Sequence, residues 1–336
     1  MQGEVEVTEV VVRLDAAPAR PVVSRDGVIA ALLFCLALVA YFAANTHGAH
    51  LARPLPLGLF VLLAGSYVVL GVPAVARRLH ESLGHAVARI VAGPAVLWLA
   101  AVLYAAGAGL SVADRAPPLF VYLAIPSLIL ATGSAKPGRL PWRELAAATS
   151  LGVGVKYHLL PSLPVPAPAG YDASRLIALV ARLYFFLVAR PLDGVGYRWS
   201  LTRRDVATAV VVFVAYAAIA LPVGFGTRFI TWNPRAFAPV LLLQPLIIYL
   251  VTAVPEEFLF RGLIQNLLSR RFGVPLGLAL ASVIFGLSHL PDPRYAALAT
   301  IAGLAYGYVY VRTGKVTAAA ITHALVDAVW VILLHR

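Results

Sequence analysis

Charge is scarce in this chain. Asp, Glu, Lys and Arg make up 12% of its 336 residues, against about 25% in ordinary soluble domains. With a 61% hydrophobic content and a mean hydropathy of +0.85, that shortage excludes a mainly water-soluble fold. Cysteine occurs once, as Cys35, which excludes a disulfide framework and a cysteine metal cluster. No HExxH run occurs, so the usual helix-borne zinc spacing is absent. No internal repeat is visible. The start also lacks a basic segment ahead of an apolar one. Met1 to Asp15 mixes acids with valines, and residues 1–26 read as a polar tail before a retained first span.

Long apolar runs are what the chain has instead. A bilayer span needs about 20 apolar residues, and runs at about 28–44, 55–76, 88–110, 118–133, 206–223, 237–254, 273–288, 295–311 and 316–334 supply them. Two further stretches, at about 144–160 and 174–190, are shorter or amphipathic and read as half-spans or interfacial helices. The second carries Arg175 and Arg182. The fold class is therefore all-α, a polytopic integral membrane protein of roughly eight to eleven membrane helices. Residues 27–195 form an N-terminal helical region of unassigned role. Residues 196–336 hold every residue with a claim to chemistry.

The net charge of +12 would suggest nucleic acid in a soluble protein. Here the basic residues sit in short loops between apolar runs, so lipid headgroups and the positive-inside bias explain them, and no nucleic-acid partner is expected. Arg77, Arg78 and Arg89 mark one loop, Lys136, Arg139 and Arg143 a second, and Arg190, Arg198, Arg203 and Arg204 a third. Their alternation places these loops in the cytoplasm. The alanine-rich, disulfide-free composition reads as bacterial, hence a multi-pass protein of the cell inner membrane. Trp142, Trp199 and Trp232 read as interface anchors, and Lys156 with Tyr157 and His158 as an interfacial group.

Three motifs put polar groups inside or beside apolar runs: Glu256-Glu257-Phe258-Leu259-Phe260-Arg261, Phe285-Gly286-Leu287-Ser288-His289, and His323-Ala324-Leu325-Val326-Asp327. A charge at mid-bilayer costs about 2.5–3.5 kcal/mol on insertion scales, so such groups usually mark function. Pro255 suits a helix's first turn or a kink. Neighbours on a helix point about 100° apart, so Glu256 and Glu257 face different ways. Glu257 and Arg261 are four apart with the acid first, the favourable order for a structural ion pair. Glu256 is left without a local partner, and a lone carboxylate can serve as a general base. His289 reads as a helix-capping interfacial residue or, given a free carboxylate, as a partner in holding and deprotonating water. His323 and Asp327 share one helix face. They either glue two helices together, or His323 polarises a carbonyl or holds a metal while Asp327 orients it.

Taken together, EExxxR, FxxxH and HxxxN/D resemble the CPBP family, the CaaX-protease and bacteriocin-processing (ABI) group of membrane peptidases, over about residues 237–335. The resemblance implies an intramembrane endopeptidase, CaaX-type or peptide-maturing, acting on a peptide or membrane-protein substrate in the lipid bilayer from a cavity open to the cytosol. It assigns water activation to Glu256 and His289, and oxyanion stabilisation to His323 with Asp327. Prenyl-CaaX endopeptidases often carry asparagine where this chain has Asp327, and an ionised aspartate cannot donate to an oxyanion. Family members are often called metalloproteases, and Glu256, His289 and His323 make a zinc set. A metal-free glutamate mechanism is the alternative. Two other classes use the same residues: a proton- or cation-coupled transporter with Glu256, His289, His323 and Asp327 along its path, and a non-enzymatic immunity or scaffold protein.

Overall fold

The computed structural model describes residues 24–44, 54–133, 141–165, 172–236 and 239–335, with the side chains of 37–44, 239–240 and 335 left aside. Most of the expected polar tail, Lys136 and Arg139 lie outside the described residues. The described residues form twelve helical rods. They are α1 (Arg25–Ala44), α2 (Pro54–Val69), α3 (Pro73–Ser82), α4 (Ala86–Gly107), α5 (Val112–Ala131), α6 (Trp142–Lys156), α7 (173–189), α8 (Arg203–Gly226), α9 (244–272), α10 (Val274–Leu287), α11 (Pro293–Thr313) and α12 (Val316–Leu333). The all-α polytopic architecture is thus present. α4, α5, α8 and α12 are each long and apolar enough to cross a membrane. The expected run 55–76 is broken: α2 and α3 meet at 107°, where Pro73 opens a new helix.

The rods run up and down, and side-chain contacts group their ends. At one end, Arg190 reaches the carbonyls of Leu130 and Gly133 and the carboxylate of Glu144, Lys315 binds Asp205 at 2.7 Å, Arg270 donates to Asp193 O, and the Val316 amide donates to Gly196 O. This end gathers the connections 70–85, 190–202, 273 and 314–315. At the other end, Arg115 donates to Ser162 O, Arg175 meets His158, Arg294 reaches the carbonyls of Thr227 and Arg228, and Thr231–Trp232 pairs antiparallel with Leu334–His335.

One continuous buried core contains residues on both sides of position 195, from Ala30 to Ala328. An aromatic cluster joins the halves. Trp199 Nε1 donates to Val68 O at 2.7 Å, Tyr197 Oη to Tyr67 O at 2.9 Å, and Tyr67 Oη to Leu250 O at 2.9 Å. Trp199 is therefore buried rather than an interface anchor: its indole N–H donates to the Val68 carbonyl at the broken end of α2, which also accepts from Gly71 N. Trp142 and Trp232 are exposed as expected.

Pro255, expected in a helix's first turn or at a kink, lies inside a continuous rod. Pro255 neither starts nor stops α9, which runs on through the motif to Phe272. Wide π-helical turns at Tyr249–Ala253 and Phe258–Gln265 flank it. Proline removes one backbone donor and crowds the preceding turn, and widened turns accommodate that without ending the helix. Such turns recur at functional sites.

Gly196 fits the 190–202 connection against the turn before α12 through backbone geometry. Its φ is +70°, and an added Cβ would lie 2.1 Å from the Gly314 carbonyl oxygen. Gly196→Ala is expected to lower the melting temperature in detergent, while Gly226→Ala, which meets nothing within 4 Å, leaves it unchanged or raises it. Equal melting temperatures for both variants would contradict this packing.

Candidate active site

Glu257 is fully buried, and its carboxylate is shared. Arg261 Nε donates to Oε2 at 2.9 Å from one turn along α9, and His323 Nδ1 of α12 meets Oε1 at 2.8 Å. A carboxylate only accepts, so Nδ1 carries the proton in this contact. The Arg261–Glu257 pair is the one expected from spacing. The second partner is not: Glu257 also orients His323, a task expected of Asp327. Asp327 stands at the opposite ring nitrogen, with Oδ2 3.5 Å from His323 Nε2.

Arg261 Nη1 and Nη2 are buried without hydrogen-bond partners. The rings of Phe285 and Tyr306 cover the guanidinium, with centroids 5.1 and 5.8 Å from Cζ, an arrangement that favours a cation electrostatically. Phe285 also meets the rings of His289 at 4.8 Å and His323 at 5.9 Å. Tyr306 lies nearly parallel to His323, 4.6 Å away at 13°. The phenylalanine of the second motif thus touches the arginine of the first and both histidines.

Glu256 turns away from this buried pair, as neighbouring helix positions must. Its side chain is 42% exposed where that of Glu257 is 0%, and its Oε2 lies 4.0 Å from His323 Nε2. That nitrogen therefore faces carboxylates from two helices. His289 follows the end of α10, and its Nδ1 is held 2.8 Å from Phe285 O, which leaves Nε2 for other partners. Its ring also packs on Tyr295 at 4.5 Å.

Two cavities meet at these residues. One, of about 540 Å³, lies between α6, α7, α9 and α10 and is lined by Lys156, Arg182, Glu256 and His289. The other, of about 400 Å³, lies between α8, α9, α11 and α12 and is lined by Tyr216, Tyr295, Tyr306, His289, His323 and Asp327. Thr252 and His289 belong to both. Arg182 was legible only as a charge in an amphipathic stretch. It is buried, donates to Pro255 O at 3.2 Å, and leaves Nε without a partner. Tyr306 carried no signal in the sequence, and Lys156, read as interfacial, lines the cavity of Glu256.

Among the described residues no group of three or more His, Cys, Asp and Glu side chains is arranged to hold a metal ion. The expected zinc set of Glu256, His289 and His323 does not form such a group as placed.

Residues 238–329 match the family model described as type II CAAX prenyl endopeptidase Rce1-like. The resemblance drawn from the three motifs is borne out over that stretch, and all seven motif residues fall within it. No curated protein and no solved structure matches the chain.

Breaking a buried ion pair by removing one partner costs about 3–5 kcal/mol, whereas replacing both by apolar residues is often neutral. Glu257→Ala should therefore lower thermal stability in detergent strongly, and Glu257→Leu with Arg261→Met should recover much of the loss. A single variant as stable as wild type would contradict the buried pair.

Proposed function

We propose that this chain is an intramembrane endopeptidase whose base is Glu256. The reading is carried by one observation: an accessible carboxylate and a buried, oriented imidazole approach to 4.0 Å from separate helices where two cavities meet. Water held between Glu256 and His289 gives a proton to Glu256 as its oxygen attacks the peptide carbonyl carbon. The carbonyl oxygen becomes an oxyanion. His323, anchored through Nδ1 by Glu257, directs Nε2 towards this space, and a well-placed donor to an oxyanion contributes about 2.7–4 kcal/mol. Glu256 then returns its proton to the leaving amine, the C–N bond breaks, and a free carboxylate and amine result. With both ring nitrogens protonated, His323 can donate from each, and the carboxylates of Glu257 and Asp327 balance that charge.

Asp327 in this reading supports the Nε2 side of His323. The substrate class suggested by the family match is a CaaX-type peptide, and peptide maturation is the broader form of the same chemistry. Arg182, contributed by α7 outside the matched stretch, acts as a positioning residue through the Pro255 carbonyl next to Glu256.

Comparing the proteomes of cells carrying wild type or Glu256→Gln should reveal peptide bonds cut only in the former. With such a substrate in hand, Glu256→Gln and His289→Ala should each lose about 10²–10⁴-fold in kcat, the range of general acid–base contributions, while still inserting and folding. Cleavage by Glu256→Gln at the wild-type rate would remove Glu256 as the base. Arg182→Gln should lower kcat with little change in KM, and Arg182→Lys should restore part of it. Ion flux in liposomes without any cleavage would favour the transporter reading instead.

A further inference from the structure

The basic connections and the catalytic cavities occupy opposite ends of the molecule. The first end carries Arg77 and Arg78 on α3 and Arg190, Arg198, Arg203 and Arg204 around the 190–202 connection. Arg270 and Arg271 close α9 there, and Arg312 and Lys315 flank the turn into α12. The contacts of Arg190, Arg270 and Lys315 hold these segments together at one face. At the other end the described basic residues are Arg115, Lys156, Arg175, Arg228, Arg235 and Arg294, spread over more exposed connecting chain.

Both cavities belong to that second end. The larger is walled by the last turns of α6 and α10, with Tyr157, Leu287 and Ser288, and by Arg175 at the start of α7. The smaller is walled by Leu221 in the second half of α8 and Ile230 beyond its end, by Gln244 at the start of α9, and by Trp330 in the last turn of α12 and Leu334 just after it. Neither takes a lining residue from the connections 190–202, 273 or 314–315. A cytoplasmic position for the basic loops and a cytosolic mouth for the active site are therefore incompatible in this fold.

The positive-inside rule counts Lys and Arg in short connections and near helix ends, and both conditions favour the first end as cytoplasmic. We propose that the cavities open on the face of the membrane away from the cytoplasm. The substrate is then a polypeptide presented from that side: an exported peptide, or the extracytoplasmic flank of a membrane protein. The substrate part rests on the peptidase reading; the orientation does not.

Two cysteine variants that leave every Lys and Arg in place test it, each in a Cys35→Ser background. Asn233→Cys marks the cavity end and Ser82→Cys the basic end; both residues are exposed. Intact cells treated with a membrane-impermeant maleimide should label Asn233→Cys, and Ser82→Cys should label only after permeabilisation. The reverse pattern, or labelling of both positions in intact cells, overturns the proposal. Glu256-dependent cut sites should map to extracytoplasmic segments, and sites confined to cytoplasmic tails would overturn the substrate assignment. If no Glu256-dependent cut exists, the peptidase reading fails while the labelling still decides the orientation.

Discussion

The carboxylate of Glu257 is the point on which the C-terminal half is assembled. It is fully buried, and Arg261 and His323 are the two side chains that satisfy it. An ion buried without its partners is costly, so α9 and α12 must meet in one register for the fold to stand. Arg261 in turn requires Phe285 of α10 and Tyr306 of α11 over its guanidinium. Four helices are thereby fixed around one charge pair. The groups free to do chemistry, Glu256 and the far nitrogen of His323, lie just outside that rigid centre. Preorganisation of this kind is what electrostatic stabilisation of a transition state requires.

Local periodicity made some of this legible. The four-residue spacings of Glu257 with Arg261 and His323 with Asp327 correctly placed each pair on one face, and the 100° step correctly separated Glu256 from Glu257. Contacts between distant segments were not readable in the same way. Glu257 and His323 are 66 residues apart, and nothing in either motif says that the structural glutamate rather than Asp327 holds Nδ1. Tyr306 looks like any aromatic residue of an apolar helix until it is found stacked on His323. Pro255 read as a first-turn or kink residue because a regular helix cannot carry it unstrained, and the widened turns beside it leave no mark in composition. Trp199 read as an anchor because indoles are common at interfaces; here its N–H is satisfied inside the protein by the Val68 carbonyl.

The N-terminal half has a physical part in the site although the family match does not reach it. α6 and α7 form a wall of the cavity that contains Glu256, and they bring Lys156 and Arg182 to it. Gly152 of α6 approaches Leu259 of α9 so closely that an added Cβ would sit 2.9 Å from it. α9 is thus packed between two sets of helices, and one buried core takes residues from both halves. Composition explains why this was hidden: α6 and α7 are short, mixed in polarity, and resemble interfacial segments when read alone.

The most direct measurement is an experimental structure of Glu256→Gln in a lipid nanodisc with an uncleaved peptide bound. The scissile carbonyl should lie between the side chain at 256 and the imidazoles of His289 and His323, with His323 Nδ1 still on Glu257. A peptide bound elsewhere, or a residue 256 facing lipid while the peptide sits in the cavity, would contradict hydrolysis at this site.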